Sequence, residues 1–145
     1  MVNASCVRFV ARWPAGKWSP DVATVLIVED NETNMKLSTF LLESADYIVI
    51  AATNAETGLT LAREGHPDLI LMDIQLPGMD GLEATALLKA DDATRDIPVI
   101  ALTALAMKGD EERILAAGCD GYIAKPLDYK KFLNVVAGAL AKVRR

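Results

Sequence analysis

From Val22 onward, short apolar runs alternate with longer segments in which apolar and polar residues mix. The runs lack the polar alternation of a half-exposed strand, which is typical of strands buried on both faces of a parallel sheet. The five predicted strands are residues 25–28, 47–51, 69–72, 98–102 and 121–124. The pattern therefore predicts a sheet whose two faces are both covered.

The intervening segments have helical spacing. Helices are predicted over residues 31–45, from the cap at Asn54 to Gly65, over 81–90, over 108–117 and near the carboxyl terminus. The first is expected to bury a face that contains Leu37, Phe40, Leu41 and Ser44. The last shows the clearest amphipathic spacing, with apolar side chains at Phe132, Val135, Val136, Ala139 and Leu140.

Strands that alternate with helices through short loops predict an α/β fold with a doubly wound, five-stranded parallel sheet. The expected strand order is 2-1-3-4-5, which is the flavodoxin-like order. In such sheets, ligands bind beyond the carboxyl ends of the strands, where the order reverses between the first and third strands.

Polar side chains follow four of the predicted strands. Glu29 and Asp30 follow the first strand, Asp73 the third, Thr103 the fourth and Lys125 the fifth. The topology predicts that these groups meet at one edge of the sheet.

Three neighbouring carboxylates repel one another unless their pKa values rise or a cation lies among them. A hard divalent ion fits, and Mg²⁺ suits a few carboxylates completed by a phosphoryl oxygen. Asp73 is the candidate nucleophile on phosphorus, with Glu29 and Asp30 placing the metal. Lys125 would supply a positive charge and Thr103 a hydroxyl.

Each residue also has a structural interpretation. Glu29 and Asp30 could cap the first helix, Asp73 could end a strand, Thr103 is common in strands and Lys125 could be a surface lysine. Only the conjunction of all of them favours phosphoryl chemistry.

The composition of the chain disfavours several classes of binding partner. The 145 residues carry a net charge of −5, which disfavours nucleic acid and anionic membranes as direct partners. Cys6 and Cys119 have no metal-type spacing, and no run approaches the roughly 18 apolar residues of a membrane span. We expect a cytoplasmic protein, with a poorly ordered extension at residues 1–22 and one domain at 23–145.

Four motifs resemble the receiver domain of bacterial two-component response regulators. They are VLIVEDN from residue 25, LILMDIQLPGMDG from 69, ALTA from 101 and YIAKP from 122. Longer stretches are similar to the stand-alone type that controls cell division and polarity in alphaproteobacteria. The resemblance covers about residues 24–143.

The resemblance implies that a histidine kinase or phosphotransfer protein donates a phosphoryl group to Asp73. It implies that the backbone carbonyl of Gln75 completes the Mg²⁺ shell and that the bond between Lys125 and Pro126 is cis. Thr103 and the aromatic Tyr122 would form a switch that changes the face made by the fourth helix, fifth strand and fifth helix.

By the same resemblance, a downstream protein binds this face, with candidate contacts Met107, Lys108, Asp110, Glu111 and Arg113. His66, the single histidine, is assigned no role. We therefore expect a phosphoacceptor and not an enzyme, apart from Mg²⁺-dependent self-phosphorylation from phosphodonors and slow self-dephosphorylation.

Other functions stay open at this point. The receiver could act as a phosphate shuttle or as an interaction module that does not depend on phosphorylation. An aspartyl phosphohydrolase is disfavoured because Gln75 stands where such enzymes commonly place a second acid. A flavin or nucleotide binder is disfavoured because Glu29, Asp30 and Asn31 stand where a glycine-rich phosphate loop would be needed.

Overall fold

The computed structural model describes residues 22–76, 78–104, 108–125 and 128–143. The predicted extension therefore lies outside the described residues except for Val22, and so do Met107 and the bond between Lys125 and Pro126.

Five strands and five helices alternate along the chain. The strands are β1 Thr24–Val28, β2 Ile48–Ala52, β3 Leu69–Asp73, β4 Val99–Thr103 and β5 Gly121–Ala124. The helices are α1 Glu32–Ser44, α2 Ala55–Gly65, α3 Gly81–Ala90, α4 Lys108–Ala116 and α5 Tyr129–Val143. The predicted strands and helices agree with these bounds to within a few residues.

The sheet is parallel and has the order β2-β1-β3-β4-β5, which confirms the predicted topology. All five residues of β3 and of β4 are buried. Continuous burial is expected for central strands covered by helices on both faces, and it explains their uninterrupted apolar runs.

Two apolar clusters lie on opposite faces of the sheet. On one face, side chains of α2, α3 and α4, including Leu61, Leu88 and Ile114, pack against alternate residues of the strands. On the other face, α1 and α5 contribute Leu42 and Phe132, among others. The face predicted for α5 is confirmed, since Phe132, Val136 and Leu140 are buried.

Side-chain caps set the helix starts. Asn31 and Asn54 each accept a hydrogen bond from a backbone amide three residues ahead. Asp80 and Glu83 form a reciprocal capping box at the start of α3. The loop that follows β3 is therefore anchored at the beginning of the next helix.

No helix in the described ranges is long and apolar enough to cross a membrane.

The buried face predicted for α1 is wrong. Leu37 is 41% exposed and Phe40 is 67% exposed, whereas Ser38, Leu41 and Leu42 are buried. Helical spacing alone permits both faces, because Leu41 belongs to either stripe. Packing against the sheet selects the stripe that contains Ser38 and leaves Phe40 in solvent.

Replacing Ser38 with alanine is expected to raise the free energy of unfolding by about 0.5–1.5 kcal/mol. The Ser38 hydroxyl is fully buried, and among the described side chains it is the one buried polar group without a hydrogen-bond partner. The measurement is urea unfolding, with Ser44→Ala as the control because the Ser44 hydroxyl donates to the Leu41 carbonyl at 2.8 Å. A destabilised Ser38→Ala protein would contradict this assignment.

Candidate functional site

Glu29 and Asp30 directly follow β1, and their carboxylates lie in different environments. Glu29 is 1% exposed, and its backbone amide donates to the Ala52 carbonyl at 3.0 Å, which fixes it beside β2. The Glu29 side chain also accepts a hydrogen bond from the Asn31 amide at 3.3 Å. Asp30 is exposed. One carboxylate is thus buried and the other is exposed, and we call the region beyond the end of β1 where they lie the acidic cleft.

Asp73 is the last residue of β3 and is only 3% exposed. Its Oδ1 accepts a hydrogen bond from the backbone amide of Gln75 at 2.9 Å, which orients the carboxylate. The amide of Ile74 donates to the Leu102 carbonyl at 3.2 Å, so the chain stays tied to β4 just beyond Asp73. The carboxylate is therefore held by rigid backbone on both sides.

The loop behind Asp73 requires glycine at its far end. A Cβ on Gly81 would collide with the backbone carbonyl oxygen of Asp73 and would lie 2.6 Å from the Ile74 Cα. The Gly81 carbonyl accepts a hydrogen bond from the buried Thr85 hydroxyl at 2.8 Å. The first residue of α3 is thus packed directly on the backbone that carries Asp73.

Lys125 links the two buried carboxylates. Its Nζ lies 3.0 Å from Glu29 Oε1 and 3.3 Å from Asp73 Oδ2. The Lys125 backbone amide donates to the Thr103 carbonyl at 2.7 Å, so β4 positions the residue even though it follows β5. The ammonium group partly offsets the repulsion between the acids that it bridges.

Burial and the neighbouring Asp73 together raise the pKa of Glu29 to about 7, although the Lys125 ammonium acts to lower it. Near neutral pH, Glu29 therefore exchanges readily between its protonated and ionised forms. A cation that replaced the proton would remove this penalty.

Glu29, Asp30 and Asp73 form a group that can hold a metal ion, since one carboxylate oxygen from each lies within 4.8 Å of the others. Hard oxygen donors, two of them buried at a high electrostatic cost and one open to solvent, fit Mg²⁺ with water or phosphate completing its shell. The predicted contribution of the Gln75 carbonyl stays a prediction.

Thr103 and Tyr122 lie on the last two strands of the sheet. Thr103 ends β4 and is fully buried, and Ala101 of β4 is paired with Tyr122 of β5. The Tyr122 hydroxyl donates to Glu111 Oε2 at 2.8 Å, and this carboxylate raises the pKa of the phenol. The sequence placed Glu111 on a partner-binding face and did not pair it with Tyr122.

The structure thus brings Glu29, Asp30, Asp73 and Lys125 together, with Thr103 at the end of the adjacent strand. Of the predicted partner contacts, the side chains of Glu111 and Arg113 are described and exposed. His66 lies elsewhere, in left-handed conformation at the end of α2.

Residues 25–137 match the response regulator receiver domain family. The chain is 56% identical over 117 residues to the polar-differentiation response regulator DivK of Brucella anthropi, covering 81% of this chain and 95% of that protein. The DivK protein of Brucella ovis is 55% identical over the same length and coverage.

Solved structures show the same fold. The receiver domain of a sensor histidine kinase from Pseudomonas aeruginosa PAO1 has a TM-score of 0.78 and 34% identity, over 83% of this chain and 98% of that one. That structure holds a magnesium ion coordinated in its active-site cleft. The receiver domain of a signal transduction histidine kinase from Syntrophus aciditrophicus has a TM-score of 0.79 and 33% identity, over 86% and 94% of the two chains.

Proposed function

Because the chain belongs to the response regulator receiver domain family, we propose that it accepts a phosphoryl group on Asp73 from a histidine kinase or phosphotransfer protein. The observation that carries this proposal is the Asp73 carboxylate at the end of a buried strand, 3.3 Å from the Lys125 ammonium and beside Glu29 and Asp30. A carboxylate set in this way can act as a nucleophile toward phosphorus.

In the proposed transfer, an oxygen of Asp73 attacks phosphorus and forms an acyl phosphate. The bond from phosphorus to the donor's leaving atom breaks, and for a phosphohistidine donor the imidazole keeps that electron pair. Lys125 stays close enough to balance the charge on the incoming phosphoryl oxygens. The Thr103 hydroxyl would then donate to one of those oxygens.

Glu29, Asp30, Asp73 and the Gln75 carbonyl would hold the metal. When bound, Mg²⁺ would supply positive charge against the phosphoryl oxygens. Glu29 contributes in its ionised form, which is accessible because its pKa lies at about 7.

The output would be protein binding. The acyl phosphate would draw Thr103 toward it, Tyr122 would turn inward, and the surface made by α4, β5 and α5 would change its affinity for a downstream protein. The identity to DivK supports a role in cell-cycle or polarity control, and we expect the protein to act in the cytoplasm. Nucleic acid and membrane are not expected as direct partners.

Phosphoryl transfer is tested by incubating the protein with Mg²⁺ and acetyl phosphate, or with a phosphorylated histidine kinase, and separating the products on a mobility-shift gel. A phosphorylated band, which is the label read on the gel, is expected for the unmodified protein and should be lost in Asp73→Asn. It should also be removed by hydroxylamine, which cleaves acyl phosphates.

The matched control is Asp92→Asn, which removes a surface carboxylate whose side chain is 90% exposed. This variant should be labelled like the unmodified protein. Equal labelling of Asp73→Asn would reject Asp73 as the acceptor, and absence of label from every protein would favour an interaction module that does not depend on phosphorylation.

A further inference from the structure

One hydrogen bond joins α4 to β5 outside the acidic cleft. The Tyr122 hydroxyl donates to Glu111 Oε2 at 2.8 Å, with both groups at the surface. The ring itself is half-buried against the apolar cluster beneath α2, α3 and α4. Glu111 therefore holds the polar tip of a ring whose body rests on the core.

The two segments joined by this bond both connect to the cleft. Lys125 lies three residues beyond Tyr122, and its amide donates to the Thr103 carbonyl at 2.7 Å. Glu111 lies in the first turn of the helix that follows Thr103. Each side of the bond between Tyr122 and Glu111 is thus linked through the chain to a residue of the cleft, Lys125 on one side and Thr103 on the other.

Tyr122 also borders open space. It lines a groove of about 820 Å³ toward Pro98 and Asp120, and another of about 370 Å³ toward Lys125 and Lys131. These grooves leave the ring space into which it can reorient. The hydrogen bond to Glu111 is then one of the contacts that fix its position, together with the packing of the ring on the core.

We propose that Glu111 is a positioning residue that holds Tyr122 outward in the unphosphorylated protein and thereby slows phosphorylation of Asp73. The inference rests on the proposed function. A surface hydrogen bond to a carboxylate contributes modestly to an equilibrium between two conformations, so a charge change in the cleft can release it. Loss of the bond should raise the population of the phosphorylation-competent conformation by about three- to five-fold.

The test compares Glu111→Ala, Tyr122→Phe and the double variant in Mg²⁺ and acetyl phosphate. The rate of Asp73 phosphorylation should rise about three- to five-fold in each single variant. The double variant should be no faster than either, because both changes remove the same bond. Glu111→Gln, whose amide oxygen still accepts from the phenol, should fall between Glu111→Ala and the unmodified protein.

Glu112→Ala is the matched control, since it removes the same charge from the next exposed position of α4. Fluorine NMR of protein labelled with fluorotyrosine should show the Tyr122 signal shifted in Glu111→Ala and unmoved in Glu112→Ala. A purely structural contact would lower the melting temperature without changing the rate.

Unchanged rates in Glu111→Ala, or equal acceleration in Glu112→Ala, would overturn the proposal while phosphorylation of the unmodified protein still supports the proposed function. Absence of phosphorylation from the unmodified protein would instead reject the proposed function. In that case the proposal about Glu111 falls with it.

Discussion

Replacing Gly81 with alanine is expected to lower the free energy of unfolding by at least about 3 kcal/mol. The added methyl group would overlap the Asp73 carbonyl oxygen and lie 2.6 Å from the Ile74 Cα, and both obstacles are backbone atoms. Backbone tied to β4 by the amide of Ile74 cannot move away cheaply. The loss is measured as a shift of the urea unfolding midpoint, provided that the dependence of the unfolding free energy on urea concentration stays the same.

Two other glycines provide controls. A Cβ on Gly138, in α5, would meet nothing within 4 Å, so Gly138→Ala should stabilise the helix by about 0.5–1 kcal/mol. Gly78 has a φ of +77° in open space, so Gly78→Ala should cost only about 1–2 kcal/mol of backbone strain. If Gly81→Ala were as stable as Gly78→Ala, or more stable, the close approach of Gly81 to the backbone of Asp73 and Ile74 would be contradicted.

Replacing Lys125 with methionine should destabilise the metal-free protein by about 3 kcal/mol at pH 7.5. The Lys125 ammonium lies against two buried carboxylates, and methionine keeps the apolar stem while it removes the charge. Saturating Mg²⁺ should recover part of the loss, because a cation among Glu29, Asp30 and Asp73 replaces the missing positive charge.

The loss in Lys125→Met should depend on pH. The pKa of Glu29 is already raised from 4.5 to about 7, so the folded protein binds more protons than the unfolded chain between these values. Stability therefore falls as the pH rises through this window. Without Lys125, which lowers this pKa, the fall should extend to higher pH, and the deficit should be smallest near pH 5.

Chemical unfolding from pH 5 to 8, with and without Mg²⁺, tests this pH dependence. Lys131→Met is the matched control, since Lys131 is exposed in the groove beside Lys125. It should lose little stability at any pH. A deficit in Lys125→Met that stays constant with pH would show that Glu29 does not carry the effect.

The sequence was sufficient to predict the strands, their order and the end of the sheet at which the acidic side chains gather. Apolar runs such as Leu69–Met72 are unambiguous because central parallel strands are buried on both faces. Since the topology then places the strand ends, Glu29, Asp73 and Lys125 could be expected together before any distance was measured. The helix that begins at Gly81 was also predicted within its observed bounds.

The remaining features depend on tertiary contacts that periodicity does not encode. Phe40 and Leu42 are equally apolar, yet only packing against the sheet decides that Leu42 is the buried one. Glu29 and Asp30 are adjacent acids, and the different directions of their side chains make one buried and the other exposed. The hydrogen bond from Tyr122 to Glu111 joins neighbouring elements at a separation of 11 residues, for which the sequence carries no regular signal.

The direction of β1 has a practical consequence. The strand runs from Thr24 to Val28, directly before Glu29. Its rise of roughly 13 Å separates the amino-terminal ends of the strands from the carboxyl-terminal ends. Any reporter fused ahead of Thr24 joins the domain at the edge opposite the acidic cleft. A fluorophore or surface tether attached directly ahead of Thr24 should therefore leave the cleft and its approaching partners unobstructed.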